Sequence, residues 1–357
     1  MIKIKKIFTD KSVFKRYAKE ISSICKKIKA PLVILNSKED LYIKSQRLDL
    51  GKNNVYLTLQ RGKILSKCPC SKGSISCGYF VLDTMVGCPF DCSYCYLQIY
   101  QNIRATSFYL NLEEKIKKVA QFLSKRKKFM RIGTGEFCDS LTLEDILPQL
   151  DILYFYFKKL PFVILELKTK SDNIKSLLNL KPLKNIVVSW SLNPQKIVKE
   201  EEKYTASLNK RLKSAYLLQQ KGWYVGFHFD PIIYSPDYKD IYLEVIKRLR
   251  KFYPKKIAWI SLGTLRFPPR TPQVIKERFP DTKILNGEFI LSNDNKYRYF
   301  RHIRREIYKF MLDNLKMYFK DVPIYLCMET ALVWKEVFGF VPDSKYFSNL
   351  FSSHFSI

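Results

Sequence analysis

Three cysteines, Cys88, Cys92 and Cys95, stand at C-x3-C-x2-C spacing in the run from Thr84 to Leu97. They follow an apolar stretch, residues 78–86, that reads as a strand, so they sit on the loop leaving its C-terminal end. Three thiolates on so short a loop can hold one iron–sulfur cluster but cannot supply the usual four ligands. The iron left over is open to an outside ligand, much as a catalytic metal keeps one position free. The rival chemistry is a zinc knuckle built from two of these cysteines and two upstream ones. Cys68, Cys70 and Cys77 are at hand, but no fourth ligand lies near them once Cys88 is committed. Downstream, Gly133-Thr134-Gly135-Glu136 joins glycines, which let backbone approach a ligand closely, to a carboxylate able to hold an ammonium group. Two residues on stands Cys138. A lone cysteine is most often a small buried hydrophobe.

The elements that must position these residues are legible as alternating periods. Strand-like runs occur at 79–86, 129–134, 162–168, 185–192, 223–229 and 257–262. Helix-period segments lie between them at 112–126, 143–159, 173–180, 208–221 and 237–252. This alternation predicts βαβ units around a parallel sheet, either an open doubly wound sheet or a partial barrel. In both, the residues after the strand ends form the site. Those ends are polar: the cysteine loop, Gly133–Glu136, Lys168-Thr169-Lys170, Ser191-Leu192-Asn193, His228-Phe229-Asp230 and Gly263-Thr264-Leu265-Arg266. Residues 1–77 read as an appended segment with a helix at 11–29 and strands at 31–35 and 54–59. A basic helix is expected over 297–317, carrying Arg298, Arg301, Arg304 and Arg305.

Of the 357 residues, 63 are Lys or Arg and 33 are Asp or Glu, a formal charge of +30. An excess this large points to a polyanion, foremost nucleic acid. Residues 125–128, the Arg-rich helix, Arg266 and Arg270 are candidates for a phosphate-holding rim. The first residues lack the apolar core of a signal peptide, and no apolar run approaches the ~18 residues of a membrane span. Nine cysteines, an odd and unevenly clustered set, argue against a disulfide framework and for a reducing cytoplasm.

The segment Gly87-Cys88-x3-Cys92-Ser93-Tyr94-Cys95-Tyr96-Leu97-Gln98 resembles the spore photoproduct lyase family of the radical S-adenosylmethionine superfamily. Further similarity follows in order: the lone Cys138, Thr169-Lys170, Ser191-Leu192-Asn193, Gly226-Phe227 with Pro231-Ile232, and Val274-Ile275-Lys276-Glu277-Arg278-Phe279-Pro280. The resemblance implies an α/β fold, a partial (β/α)6 TIM-type barrel over residues 78–270, with residues 271–357 completing the substrate site. It implies a [4Fe–4S] cluster on Cys88, Cys92 and Cys95, with S-adenosylmethionine on the open iron. Gly133, Gly135, Glu136, Lys170 and Ser191 would bind that cofactor. The implied reaction is repair of 5-thyminyl-5,6-dihydrothymine in UV-damaged DNA, with Cys138 as hydrogen-atom donor and Tyr94 and Tyr96 as relay. A one-electron reductant of flavodoxin or ferredoxin type is implied as partner.

Some residues depart from that pattern. Thr134 stands where a second adjacent glycine is usual, and His228 and Asp230 stand where small or apolar residues are expected. If both faced the pocket, the substrate would be another nucleic-acid lesion or modification. A zinc-stabilised nucleic-acid-binding protein without catalysis is the reading from outside enzymology.

Overall fold

The computed structural model describes residues 2–42, 51–343 and 345–356. Its centre is a curled eight-stranded sheet. Six parallel strands, Tyr79–Leu82, Met130–Gly133, Val163–Thr169, Ile186–Ser191, Tyr224–Ile232 and Ile257–Thr264, follow in spatial order as they do in sequence. A seventh, Ile324–Leu326, extends the sheet beyond Ile257–Thr264, and the antiparallel Leu65–Lys67 borders Tyr79–Leu82 at the other edge. This is a partial TIM-type barrel. The middle strands are buried on both faces, as a parallel sheet covered by helices requires. The helix Leu112–Arg126 shows how the sequence writes such a cover. Leu112, Ile116, Val119, Ala120 and Leu123 form its buried stripe, Glu113 and Glu114 open it, and Lys125 and Arg126 close it.

Other segments differ from the sequence pattern for identifiable reasons. The helix expected from residue 143 begins at Leu150, because Pro148 cannot continue a preceding turn. The Glu144 carboxylate then accepts the free amides of Gln149 and Leu150 at 3.0–3.2 Å. Tyr297–Tyr299 is a strand, paired with Arg266–Phe267 and Phe289–Leu291, and the basic helix runs Arg301–Lys316. The run 79–86 is broken at Asp83-Thr84 into Tyr79–Leu82 and Met85–Val86.

That break matters for the site. Met85–Val86 leaves the barrel and joins a second sheet, in the order Leu32–Leu35, Lys6–Asp10, Asn54–Thr58, Thr106–Tyr109, Met85–Val86. The N-terminal segment is thus tied to the barrel by shared strands. Its core contains Ile7, Val55, Leu57, Met85, Phe108, Leu143, Leu147 and Cys138. Cys138 therefore shares one apolar core with Ile7, Val55 and Leu57 of the N-terminal segment.

The far end of the barrel is closed by the helix Tyr346–Phe355. Its Phe351 ring lies 3.6 Å from the buried Arg131 guanidinium, which also faces Trp259, Tyr325 and Tyr79 at 5.2–5.5 Å. Gly133 makes room for that inner layer, since a Cβ there would stand 1.6 Å from the Tyr79 hydroxyl. Gly133→Ala is expected to displace Tyr79 and lower stability by about 1–3 kcal/mol, measured by urea denaturation. Unchanged stability would show that the inner layer yields more easily than its packing implies.

Candidate active site

Cys88, Cys92 and Cys95 sit on a loop with almost no regular structure, and distant side chains hold it. Gly87 turns the chain at φ 104° and donates its amide to the Phe137 carbonyl at 2.8 Å, joining the cysteine loop to the Cys138 loop. Asp91 accepts from Arg278, both of its oxygens lying within 2.8–2.9 Å of one guanidinium nitrogen. Lys52 donates to the carbonyls of Cys88 and Phe90 at 3.2 and 2.6 Å. The two-residue strand Asp91–Cys92 pairs with Glu202–Lys203. Ser93 donates to Glu201, and the Tyr94 hydroxyl donates to Glu202. Glu202 is itself gripped by Arg211 and by Asn193 at 2.9 Å. Burial disfavours its ionised form, yet Arg211 and Lys170 outweigh burial and bring it down to about 2.

All nine cysteines are free thiols. Burial pushes the Cys88 thiol up to about 12 and Cys92 higher still. These are desolvated thiols that a bound cation would deprotonate, and the Lys170 ammonium lies beside Cys92 to offset the resulting negative charge. Among the described residues no group of three or more His, Cys, Asp or Glu is placed to grip a single metal ion. A cluster asks for a different arrangement, in which each thiolate ligates its own iron. The donor set of Cys88, Cys92 and Cys95 fits that group. Cys68, Cys70 and Cys77 remain partly buried thiols.

Cys138 is buried, and its thiol donates to the Thr134 carbonyl at 3.2 Å. Tyr96 is beside it: its hydroxyl donates to the Glu136 carbonyl at 2.7 Å and lies 3.3 Å from the Glu136 carboxylate. Tyr94, by contrast, is anchored on Glu202, with the Lys170 ammonium 5.7 Å from its ring centre. The Cys138 loop is seated on the third barrel strand. A Cβ on Gly135 would meet the Lys168 Cβ at 2.6 Å, so only glycine allows this approach. Asp139 fastens the same junction, accepting from the Thr169 hydroxyl at 2.7 Å and the Lys170 amide at 2.6 Å. Ser191 is buried, and its carbonyl accepts Arg211 at 2.9 Å.

A cysteine loop and a lone buried cysteine joined at the mouth of a partial barrel have counterparts among known proteins. The model of the family described as spore photoproduct lyase matches residues 60–325. The chain belongs to the spore photoproduct lyase family. It is therefore a radical S-adenosylmethionine lyase whose cofactors are a [4Fe–4S] cluster and S-adenosylmethionine. A spore photoproduct lyase of Clostridium acetobutylicum is 25% identical over 282 residues, covering 77% of this chain and 82% of the relative. Among solved structures, a spore photoproduct lyase mutant with dinucleoside spore photoproduct superposes with a TM-score of 0.78 at 17% identity, covering 90% of this chain and 98% of that one. A double mutant with bound AdoMet and the same dinucleoside gives 0.75 at 17%, with coverage of 92% and 98%. At such identities the structures speak for the fold.

Several residues read from sequence as pocket or rim lie elsewhere. His228 faces the barrel interior but is satisfied there, 2.6 Å from Glu166 and 2.5 Å from the Ser261 hydroxyl. Asp230 is held by both amino groups of Arg266 at 2.9 and 3.1 Å, so Arg266 is no rim residue. Arg298 pairs with Asp294 and Arg304 with Glu329, both buried. Residues 125–128 immediately precede the strand Met130–Gly133, and so lie at the opposite end of the barrel from the site. What the sequence did not reveal is the set that holds the loop: Glu202, Arg211, Lys52 and the pairing of Asp91 with Arg278. A signal existed for the last pair, since both residues fall inside family-like segments. Arg278→Ala is expected to leave Asp91 buried without its main partner, a loss of about 3–5 kcal/mol locally. Iron and sulfide per chain after anaerobic reconstitution should fall, and the absorbance near 400 nm should bleach faster in air. Normal iron content with normal air stability would show that the loop holds its shape without this pair.

Proposed function

We propose that this chain reverses the spore photoproduct in DNA to two thymines, with Cys138 as the hydrogen-atom donor to the product. The observation that carries the reading is the junction of the cysteine loop with the Cys138 loop through Gly87 and Phe137, inside a fold of this family. When bound, S-adenosylmethionine and the cluster supply a 5′-deoxyadenosyl radical, the species able to remove hydrogen from an unactivated carbon. The chain's own residues do the rest. Loss of hydrogen from C6 of the lesion lets the bond between the bases break and leaves a thyminyl radical that must be given a hydrogen atom. Burial and the neighbouring Cys88 and Asp139 hold the Cys138 thiol well above the usual range. It therefore stays protonated at neutral pH, the form with a hydrogen atom to give. Tyr96, beside Cys138 and Cys95, is the first relay partner, and Tyr94, beside Lys170 and Cys92, the second. Glu136, Lys170 and Ser191 border the place of the cofactor. Gly133 and Gly135 serve it indirectly, by seating Tyr79 and the Cys138 loop.

A dimer of adjacent bases cannot react while stacked, so the lesion must be extruded into the barrel mouth. Flanking phosphates then meet the outer face at the same end, where His302, Arg305, Lys309 and Lys239, the last paired with Glu306 at 2.7 Å, line a cavity of about 380 Å³ beside the start of the helix Arg301–Lys316. No helix among the described residues is long and apolar enough to cross a membrane. Nine free thiols suit a reducing cytoplasm, and a flavodoxin- or ferredoxin-type carrier fits as electron source.

The direct test is anaerobic incubation of the reconstituted protein with S-adenosylmethionine, dithionite and DNA irradiated to contain the lesion. Loss of lesion with recovery of thymine supports the reading, whereas 5′-deoxyadenosine formed over a persistent lesion points to another substrate. In Cys138→Ala, lesion cleavage should continue but yield misquenched products by mass spectrometry; clean thymine recovery would remove Cys138 from the mechanism. Replacing Lys239, Arg305 and Lys309 by alanine should weaken oligonucleotide binding and flatten its salt dependence, by about 0.9 in the log–log slope for each phosphate no longer neutralised. The same change at residues 125–128 should leave the slope alone. Equal effects from the two sets would refute this placement of the DNA.

A further inference from the structure

The third barrel strand, Val163–Thr169, sends Glu166 and Lys168 to the same face, and Lys170 follows just beyond its end. Two of these three side chains are accounted for. The Glu166 carboxylate accepts from Tyr79, from Ser189 at 2.5 Å and from His228 at 2.6 Å. Lys170 sits among Cys92, Glu202 and Arg211 beside the cluster loop. Lys168 has no such company. Its side chain is half-buried, and among the described residues its ammonium makes no hydrogen bond, ion pair or ring contact.

The surroundings make that isolation informative. Lys168 shares the electrostatic environment of Cys68, His228, Asp230 and Cys327, which ring the barrel mouth. Of the carboxylates there, Asp230 is occupied on both oxygens by Arg266, and Glu136, which also acts on Cys68, accepts from the Tyr96 hydroxyl at 3.3 Å. The backbone of Lys168 is also fused to the Cys138 loop: Ser140 donates to its carbonyl at 3.1 Å, and Gly135 rests on its Cβ. The three N–H donors of the Lys168 ammonium, with no protein acceptor among the described residues, are open to a ligand that arrives with acceptor atoms. The pyrimidine bases of the lesion carry carbonyl oxygens and no charge, and they must lie within reach of Cys138.

We infer that Lys168 is a substrate-binding residue, its ammonium donating a hydrogen bond to a carbonyl oxygen of the lesion base and so holding that base against the Cys138 loop. This rests on the repair reading above. It gives Lys168 a role distinct from that of Lys170, which faces the cluster side. It also explains why the polar departures His228 and Asp230 do not call for a different substrate: their partners absorb them, and the free donor is the lysine.

The test uses the reconstituted holoenzyme with the lesion in two forms, a dinucleoside without phosphate and a dinucleotide with one. Lys168→Met should raise KM for both by about tenfold or more, with a smaller change in kcat. Lys168→Arg should recover part of the loss. Formation of 5′-deoxyadenosine without lesion, and the thermal midpoint, should match the wild type, which separates a binding defect from a folding or cofactor defect. An unchanged KM in Lys168→Met would overturn the assignment. A rise confined to the dinucleotide would overturn it in favour of the phosphodiester as acceptor. Failure of the wild type to convert either form would sink the repair reading itself, and the assignment with it.

Discussion

Buried charge, more than backbone hydrogen bonding, gives the cluster loop its shape. Between Gly87 and Tyr96 the chain forms one two-residue strand, so its conformation has to be imposed from outside. Arg278 grips Asp91, Lys52 grips two carbonyls, Glu201 holds Ser93, and Glu202 holds Tyr94. A buried charge left unpaired costs several kcal/mol, whereas one fully hydrogen-bonded costs little. The set therefore behaves nearly as all or none, and a loop with one partner missing is penalised in every alternative geometry. Three thiols able to meet one cluster together would need this kind of restriction. The partners come from residues 52, 201–202 and 278, so the loop is shaped only after the N-terminal sheet, the barrel and the following helix have met.

The same logic ties the appended N-terminal segment to the proposed site. In the donor role proposed for it, Cys138 has to be dry enough to remain a thiol and fixed enough to face a radical intermediate. Both conditions are served by the apolar core that Cys138 shares with Ile7, Val55, Leu57, Met85 and Phe108. The break at Asp83-Thr84 diverts the chain from barrel to second sheet just before the first cluster cysteine. One short detour thus brings the cysteine loop and the apolar core around Cys138 into a single unit. Asp139 then locks this unit to the third strand through Thr169 and Lys170.

How much of this was legible in the sequence depended on the range of the interaction. The six main strands and the helix Leu112–Arg126 were written in local periodicity, and the cysteine spacing and Cys138 in local motif. The strand Ile324–Leu326 was not, because three residues carry no period. Glu202 was invisible for another reason. It closes the run Glu200-Glu201-Glu202, which reads as a solvated helix face, yet Glu202 is 2% exposed because Arg211, Asn193 and Tyr94 surround it. His228 and Asp230 looked like pocket groups for the same reason in reverse: the sequence shows a polar residue on a strand, but not whether Glu166 or Arg266 will meet it. Alternation gives the face, and only the fold gives the partner.

The charge of +30 also divides once the fold is known, and the division follows the chemistry of the two cations. Arginine does much of the internal work. Arg131 is caged by aromatic rings, Arg211 and Arg266 grip Glu202 and Asp230, and Arg298 and Arg304 close ion pairs with Asp294 and Glu329. A planar fork that is weakly hydrated suits burial and bidentate pairing, whereas a strongly hydrated ammonium prefers water. Lysine accordingly supplies most of the outer field, which draws a polyanion without regard to sequence. Recognition of a particular lesion then falls to the few donors and thiols that the barrel mouth keeps unpaired. Lys52 is drawn inside and satisfied by two carbonyls, whereas Lys168, half-buried, makes no hydrogen bond or ion pair among the described residues.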